Sequence, residues 1–442
     1  MFFGGMRQTS LASDLTVTAQ QVADSRGRPT VQVQLQLGDL SARGDVPAGA
    51  SKGADEAQTV PVAQALENIQ TILLPLLRET AVDLRQHAGL VRCEEAMAAR
   101  AGANFADLGA NATLPLSRAL WQLVAQLHGL PLYAYIRRAE PSLASEARVQ
   151  CLMNIYNGGL HALRSQDGEV LGRDRIDIQE IMVVPTRVSS YRQAMAMGEA
   201  IDQALKGLLQ DGFGAAAVSR ADEAGFSVKG LGDSSQAIGL VVEAIRLAGF
   251  TPGGDVKLAL DVAASSFYDA ASQRYQFQGR ALTTAEMIAY LEDFADRYAG
   301  MVLSIEDGLD ENDWAGWTTL SAAMSRRGIL TIGDDLFVTQ LPRLRRGLGA
   351  DAAHAILIKV NQNGTVHGTL QVMKLAQSRG MRCVVSHRSG ETLDVSIADL
   401  ALATGALGLK SGDPQPPIDF PDAATWVRRA KYLRLVAIEE GT

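Results

Sequence analysis

The chain has 442 residues, 47% hydrophobic side chains and a formal net charge of −8 at pH 7. This acidic balance excludes nucleic-acid binding as the main activity, and no stretch has the apolar length of a membrane span. Three widely separated cysteines without metal-ligand spacing, and an N-terminus too short and glycine-broken for a secretory signal, predict a cytoplasmic protein with reduced thiols.

The first third of the chain predicts a small α+β domain. Residues 14–46 alternate apolar and polar side chains with a turn at Asp24–Gly27, which is typical of antiparallel strands. A glycine-rich segment follows at 46–56, and helical periodicity then extends to about residue 129. The polar stretch before Cys151 places the boundary between domains 1–147 and 148–442.

Beyond residue 148, apolar runs alternate with helical patterns, and six of the runs end on a chemically active residue. These end residues are spaced 23 to 45 residues apart, and most gaps match one strand plus one helix. The rhythm predicts a parallel β/α barrel with its site at the carboxyl ends of the strands. The six run ends are Asp261, Glu306, Asp334, Lys359, His387 with Arg388 and Ser389, and Lys410.

Asp261, Glu306 and Asp334 would repel one another on one rim unless a cation lay between them. Oxygen ligands alone favour Mg²⁺ or another hard ion over zinc. Any one of these residues alone is better explained as a helix N-cap. Three of them at successive strand ends, followed by lysines at the next ones, favour a metal site.

The basic residues predict recognition of an anion and proton abstraction. Desolvation, a second lysine and a metal ion would each disfavour the charged form of Lys359, so we expect an uncharged amine. Arg388 and Ser389 offer a guanidinium and a hydroxyl to a phosphate group. His161 lies in a glycine-flanked loop. It is either part of a lid over the site or an ordinary solvated loop residue.

With these residues identified, the chain resembles enolase over nearly its whole length. The matching segments include DSRGRPTVQV, VPAGASKG, MNIYNGGLHA, SIEDGLDENDWAGW, AILIKVNQNGT and VVSHRSGETLD. The resemblance implies a TIM-like barrel with atypical first units behind an N-terminal α+β capping domain. It also implies an enzyme of glycolysis and gluconeogenesis, a homo-oligomer (a dimer or larger), which dehydrates 2-phosphoglycerate, a small phosphorylated carboxylate, to phosphoenolpyruvate with two Mg²⁺ ions.

The resemblance also implies a role for each matching residue. Lys359 would be the base and Glu223 the acid, with Glu180 beside it, while His161 and His387 would close around the ligand. Gln179, Arg388, Ser389 and Lys410 would bind substrate. Asp261, Glu306 and Asp334 would hold the first metal ion, and Ser51 the second.

Departures from the family pattern keep other functions open. Ala224 replaces a glycine beside Glu223, which would shift the loop if that glycine had positive φ. The segment between His161 and Gln179 is long. Gln32 and the proline-rich segment 412–423 differ where family members meet across a dimer interface, so we expect a rebuilt interface or a different assembly. A paralogue acting on a phosphonate or carboxylated phosphoenolpyruvate analogue is one alternative, and a non-catalytic binding protein is another.

Overall fold

The computed structural model describes residues 15–49, 53, 55–79, 84–143, 145–161, 176–221, 223–415 and 423–442. Ser51, most of the segment between His161 and Gln179, and part of the proline-rich segment therefore lie outside the described residues.

The N-terminal part is a three-stranded antiparallel sheet covered by helices, as predicted. The strands are β1 (Thr16–Ala23), β2 (Pro29–Leu37) and β3 (Leu40–Asp45). The helices are α1 (Val62–Asn68), α2 (Leu74–Glu79), α3 (His87–Arg100), α4 (Ala110–Leu127) and α5 (Leu132–Ala139), with a π-helical turn joining the first two.

Helix α4 packs directly on the sheet because Gly44 has no side chain. A Cβ at Gly44 would lie 2.1 Å from the Pro115 carbonyl oxygen. The contact buries Val31, Val33 and Leu35 of β2 in the core of this domain.

Eight strands form a closed barrel. They are β4 (Gln150–Asn157), β5 (Glu180–Pro185), β8 (Val256–Asp261), β12 (Val302–Glu306), β13 (Leu330–Gly333), β14 (Ala355–Ile358), β15 (Arg382–Ser386) and β16 (Gly408–Lys410). β16 pairs with β4 and closes the barrel. β5 runs antiparallel to both its neighbours, which confirms the atypical first units.

Short strands decorate the barrel, and helices surround it. The hairpin of β6 (Val218–Arg220) and β7 (Phe226–Val228) extends from β4, and β9 (Tyr268–Asp269), β10 (Arg274–Phe277) and β11 (Arg280–Leu282) form a small separate sheet. The helices are α6 (Tyr191–Phe213), α7 (Ser234–Leu247), α8 (Thr284–Arg297), α9 (Trp314–Ser325), α10 (Leu341–Gly349), α11 (Val360–Asn363), α12 (Val366–Ser378), α13 (Ser396–Ala403) and α14 (Ala423–Glu440).

Local sequence accounts for where several barrel helices begin. The Ser190 hydroxyl and the Asp233 carboxylate accept from backbone N–H groups in the first turns of α6 and α7. Thr283 and Glu286 form a reciprocal capping box at the start of α8. Apolar side chains of the barrel strands, such as Ala259, Ala355 and Leu357, form a buried cluster of their own. None of the described helices combines the length and apolar character needed to cross a bilayer.

Glu94 ties the N-terminal helices to the barrel. Its buried carboxylate accepts from Ser117 Oγ at 2.5 Å and from the backbone N–H of His367 at 2.6 Å, in the first turn of α12. A negative group is favourable at a helix N-terminus. Burial nevertheless raises the pKa of Glu94 to about 7, against the opposing hydrogen bonds from Ser117 and His367.

Glu94 predicts a specific pH dependence of stability. Its pKa in the folded chain lies above the unfolded value of 4.5. Protonated Glu94 therefore makes its full contribution to the free energy of unfolding below pH 4.5. That contribution falls by up to about 3 kcal/mol as the pH rises from 4.5 toward 7. We expect Glu94→Gln to remove this part of the decline when urea denaturation is followed across that range. Glu95→Gln, at an exposed neighbour, is the control, and equal declines in wild type and Glu94→Gln would contradict the assignment.

Candidate functional site

The predicted site residues surround one cavity at the carboxyl end of the barrel. Asp261, Glu306 and Lys410 are the last residues of β8, β12 and β16, while Asp334 and Lys359 directly follow β13 and β14. The cavity has a volume of about 240 Å³. The predicted residues that line it are His161, Gln179, Glu180, Glu223, Asp261, Asp334, Lys359, His387, Arg388, Ser389 and Lys410.

Glu306 is not in the cavity lining, although it lies on the same rim. It is buried at the end of β12, where it pairs in register with Asp261 of β8. Its Oε1 accepts from Lys410, and its Oε2 has no hydrogen-bond partner among the described residues. Glu306 therefore still has a carboxylate oxygen able to bind another group.

Lys410 lies among the carboxylates. Its Nζ is 2.9 Å from Glu306 Oε1, 3.0 Å from Asp261 Oδ2 and 3.3 Å from Glu180 Oε1. The contacts with Glu306 and Asp261 are hydrogen bonds, and the contact with Glu180 is an ion pair. Burial would lower the pKa of Lys410, but the surrounding carboxylates raise it well above its usual value.

The pKa of Lys359 favours the charged ammonium in this structure. The expectation of an uncharged amine is therefore wrong here. Burial lowers the pKa of Lys359, but its ion pair with Asp334 outweighs that effect and leaves the pKa raised. The sequence showed the lysine and the carboxylate but not that they touch. A neutral amine therefore requires Asp334 to be engaged elsewhere.

The site carries an excess of negative charge. The cavity lining includes eight carboxylates and three cationic side chains, Lys359, Arg388 and Lys410. Burial and neighbouring carboxylates raise the pKa values of Glu180, Glu306 and Asp307 well above the usual range, and that of Asp335 to about 7. Both causes disfavour the ionised carboxylates, and a divalent cation among them would offset the repulsion.

The carboxylates of the site are suitable ligands for a hard cation. The three predicted metal ligands, however, do not form one of the closest clusters of possible ligand atoms. Within the described part of the chain, two sets of three residues bring ligand atoms within 4.8 Å of one another: His161, Glu180 and Glu223, and Asp307, Asp334 and Asp335. Asp261 and Glu306 belong to neither set. Carboxylate oxygens without cysteine favour Mg²⁺, and Asp334 belongs to both the predicted and the observed grouping.

Asp307 was missed by the sequence analysis, although it follows Glu306 directly. Its φ is +43°, and its carboxylate oxygens accept from the backbone N–H groups of Asp334 at 3.0 Å and Asp335 at 2.8 Å. Asp307 therefore holds the segment that presents Asp334 to the cavity.

Glu56 was also missed, because its partners are remote in sequence. Its carboxylate accepts from Arg388, at 3.2 Å to Nη1, and from Gln362 Nε2 at 3.2 Å. Gln362 Nε2 also lies 3.2 Å from Asp334 Oδ1. Glu56 thus connects the N-terminal part to the predicted phosphate-binding arginine.

Two histidines flank Glu223. His387 Nε2 lies 3.3 Å from Glu223 Oε2, and His161 Nε2 lies 3.9 Å from Oε1. Burial opposes ionisation of Glu223, but both histidines and Arg428 lower its pKa well below the usual value. The pKa of Glu180 shows the opposite shift, because burial and the neighbouring Glu223 raise it well above its usual value.

The loop around Glu223 has a positive backbone φ at Ala224, the position where the family pattern has a glycine. Ala224 has φ of +67°, where a residue with a Cβ is strained. Arg220 fixes this loop: its Nη1 donates to the Ala224 carbonyl at 2.8 Å, its guanidinium pairs with Asp202, and it lies 3.7 Å from the centre of the Phe226 ring.

We expect Ala224→Gly to stabilise the protein. Glycine adopts positive φ without the Cβ clash, so the free energy of unfolding should rise by about 1 kcal/mol, measured by chemical denaturation. Ala221→Gly, at a neighbour without positive φ, should lower stability because it only loosens the unfolded chain. Equal effects at the two positions would contradict the strain at Ala224.

Comparison with known families covers nearly the whole chain. A family model described as the enolase N-terminal domain matches residues 15–136. A second, described as the enolase C-terminal TIM barrel domain, matches residues 149–441.

Proposed function

The chain belongs to the enolase family, and from this we propose that it catalyses the Mg²⁺-dependent, reversible dehydration of 2-phosphoglycerate to phosphoenolpyruvate. The observation that carries the proposal is the gathering of Lys359, the carboxylates and the His161–Glu223–His387 group around one cavity. The reaction needs a base for the proton beside a carboxylate and an acid for the leaving hydroxide. The site has groups suited to both steps.

We assign the cation to Asp261, Glu306 and Asp334, with Ser51 for a second ion. Bound Mg²⁺ would stabilise the additional negative charge that deprotonation places on the substrate carboxylate. The unpartnered Glu306 Oε2 and the raised pKa of Glu306 support this assignment, because both mark a carboxylate whose charge is not balanced.

Lys359 would remove the proton next to the substrate carboxylate. Its charge depends on Asp334, so sharing Asp334 with a cation weakens that ion pair and lowers the pKa of the lysine. Asp334 would in this way couple cation binding to the availability of the base.

The Glu180–Glu223 pair would deliver the proton to the leaving hydroxide. The raised pKa of Glu180 and the lowered pKa of Glu223 favour a proton on Glu180, and both residues belong to the set whose ligand atoms lie within 4.8 Å. Transfer from Glu180 to Glu223 therefore crosses a short distance. We retain Glu223 as the acid and assign the proton reserve to Glu180.

Arg388, Ser389, Lys410 and Gln179 would bind the anionic groups of the substrate. Arg388 is held by Glu56, so an arriving phosphate would take over the guanidinium from that carboxylate. Gln179 Nε2 lies 3.4 Å from Asp261 Oδ2, at the edge of the predicted metal site. Lys410 would bind the substrate carboxylate.

We also propose a domain boundary between residues 147 and 148, a cytoplasmic location and a homo-oligomeric assembly. The three cysteines are buried and unpaired, which supports a reducing compartment. Trp426 and Leu393 are large apolar side chains that are 46% and 48% exposed, and we take them as candidate contacts with another subunit. Sedimentation tests the assembly, and a monomer at all concentrations would contradict it.

The proposed activity is tested by following the absorbance of phosphoenolpyruvate formed from 2-phosphoglycerate. We expect turnover with Mg²⁺, loss with chelator and recovery when Mg²⁺ is restored. A paralogue acting on a phosphonate or carboxylated analogue is the second candidate, favoured by the strained Ala224 beside the proposed acid. Absent turnover of 2-phosphoglycerate, with Lys359-dependent proton exchange on such an analogue, would support the paralogue.

A further inference from the structure

Arg428 reaches from the C-terminal helix α14 into the His387–Ser389 loop. Its side chain is fully buried. Nη1 lies 2.6 Å from both His387 Nδ1 and the Arg388 carbonyl oxygen, and Nη2 lies 2.6 Å from the Ser389 carbonyl oxygen. A buried guanidinium is costly unless its donors are used, so these contacts define its position.

The contact with Arg428 fixes which nitrogen of His387 carries the hydrogen. A guanidinium remains protonated in proteins and can only donate hydrogen bonds. His387 Nδ1 must therefore present its lone pair to Nη1, and in the neutral ring the hydrogen is on Nε2. Nε2 is the atom that lies 3.3 Å from Glu223 Oε2.

The surroundings of His387 also keep the ring neutral. Burial lowers the pKa of His387 to about 4, and Arg428 acts in the same direction, against Glu223 and Glu391. A neutral ring places Nε2 beside Glu223 without adding a full positive charge there. Asn154 Nδ2 donates a hydrogen bond to the same Glu223 oxygen at 3.3 Å.

We propose that Arg428 is a positioning residue that locks His387 in its Nε2–H tautomer and so places a neutral N–H beside Glu223. The same guanidinium holds the carbonyl groups of Arg388 and Ser389. One side chain from α14 thus fixes both the partner of the acid and the predicted phosphate-binding loop. The consequence for catalysis rests on the proposed function, but the tautomer does not.

The tautomer is measured directly by ¹H–¹⁵N correlation of the folded, ¹⁵N-histidine-labelled protein. The chain has six histidines, and a His387→Gln sample assigns the signal of His387. We expect the neutral Nε2–H pattern for His387 at pH 7 in the wild type. A cationic ring or an Nδ1–H pattern would overturn the proposal, whether or not the protein turns over 2-phosphoglycerate.

Variants at position 428 test the cause. Arg428→Met removes the donor, so we expect His387 to become cationic or to mix tautomers, and kcat to fall about 10- to 100-fold with a smaller change in KM. Arg428→Lys keeps a charged donor and should retain the Nε2–H pattern. Arg429→Met is the matched control, since Arg429 on the same helix contacts Glu199 and the Pro414 carbonyl instead.

Each result decides the matter. An unchanged His387 pattern in folded Arg428→Met would overturn the proposal, as would an Arg429→Met change equal to that of Arg428→Met. If Arg428→Met does not fold, the pattern in Arg428→Lys decides: Nε2–H supports the tautomer lock, and Nδ1–H overturns it.

Discussion

Replacing Lys359 with methionine lowers kcat for phosphoenolpyruvate formation by about 10⁴-fold, the upper range for loss of a positioned base. The methionine side chain fills similar space but accepts no proton. Exchange of the substrate proton beside the carboxylate with deuterium in the solvent should fall with it. This exchange is measured separately by NMR of the recovered substrate.

The stability of Lys359→Met distinguishes lost chemistry from lost structure. Asp334 loses its ion-pair partner, so we expect a lower melting temperature than in wild type but a cooperative transition. Lys257→Met, on β8 below Asp261, is the control and should keep most of the activity. Exchange at the wild-type rate in Lys359→Met would show that another group is the base.

Replacing Glu306 with glutamine should lower activity while leaving the metal-depleted protein at least as stable as wild type. Burial and the nearby Asp261 raise the pKa of Glu306 well above its usual value, so its charge is unfavourable without a cation, and a neutral amide relieves the repulsion. The same change removes a proposed ligand. We expect a loss of about 100-fold or more in kcat/KM at fixed Mg²⁺.

The melting temperature with chelator and with Mg²⁺ separates the two effects of Glu306→Gln. Ligand binding to the folded state alone adds about 2.7 kcal/mol at a concentration 100 times Kd. Wild type should therefore gain stability from Mg²⁺, and Glu306→Gln should gain little. Glu243→Gln, at an exposed position on α7, is the control. Equal Mg²⁺ stabilisation in Glu306→Gln and wild type would remove Glu306 from the metal site.

The strand ends were predictable because they depend on local pattern. Short apolar runs ending at Asp261, Glu306 and Lys410 match the last residues of three barrel strands. The helical periodicity before residue 129 likewise matches α1 to α4. Each of these features is encoded by residues that lie close together in the sequence.

The pairing of side chains was not predictable in the same way. Lys410 was assigned to the substrate, yet its donors meet three carboxylates. Arg428 reaches His387 across 41 positions of sequence, and nothing in its local pattern marks it. These contacts depend on how distant elements meet, which a strand-and-helix pattern does not specify.

The reversed direction of β5 has a consequence for how this protein can diversify. β4 ends at Asn157 and β5 begins at Glu180, and these two residues pair in register. The connection between these two strands therefore starts and finishes at the end of the barrel that carries the candidate site, whereas two parallel strands would need a connection that crosses to the opposite end. A change in the length of this connection can therefore leave the hydrogen-bonded ladder of the barrel intact.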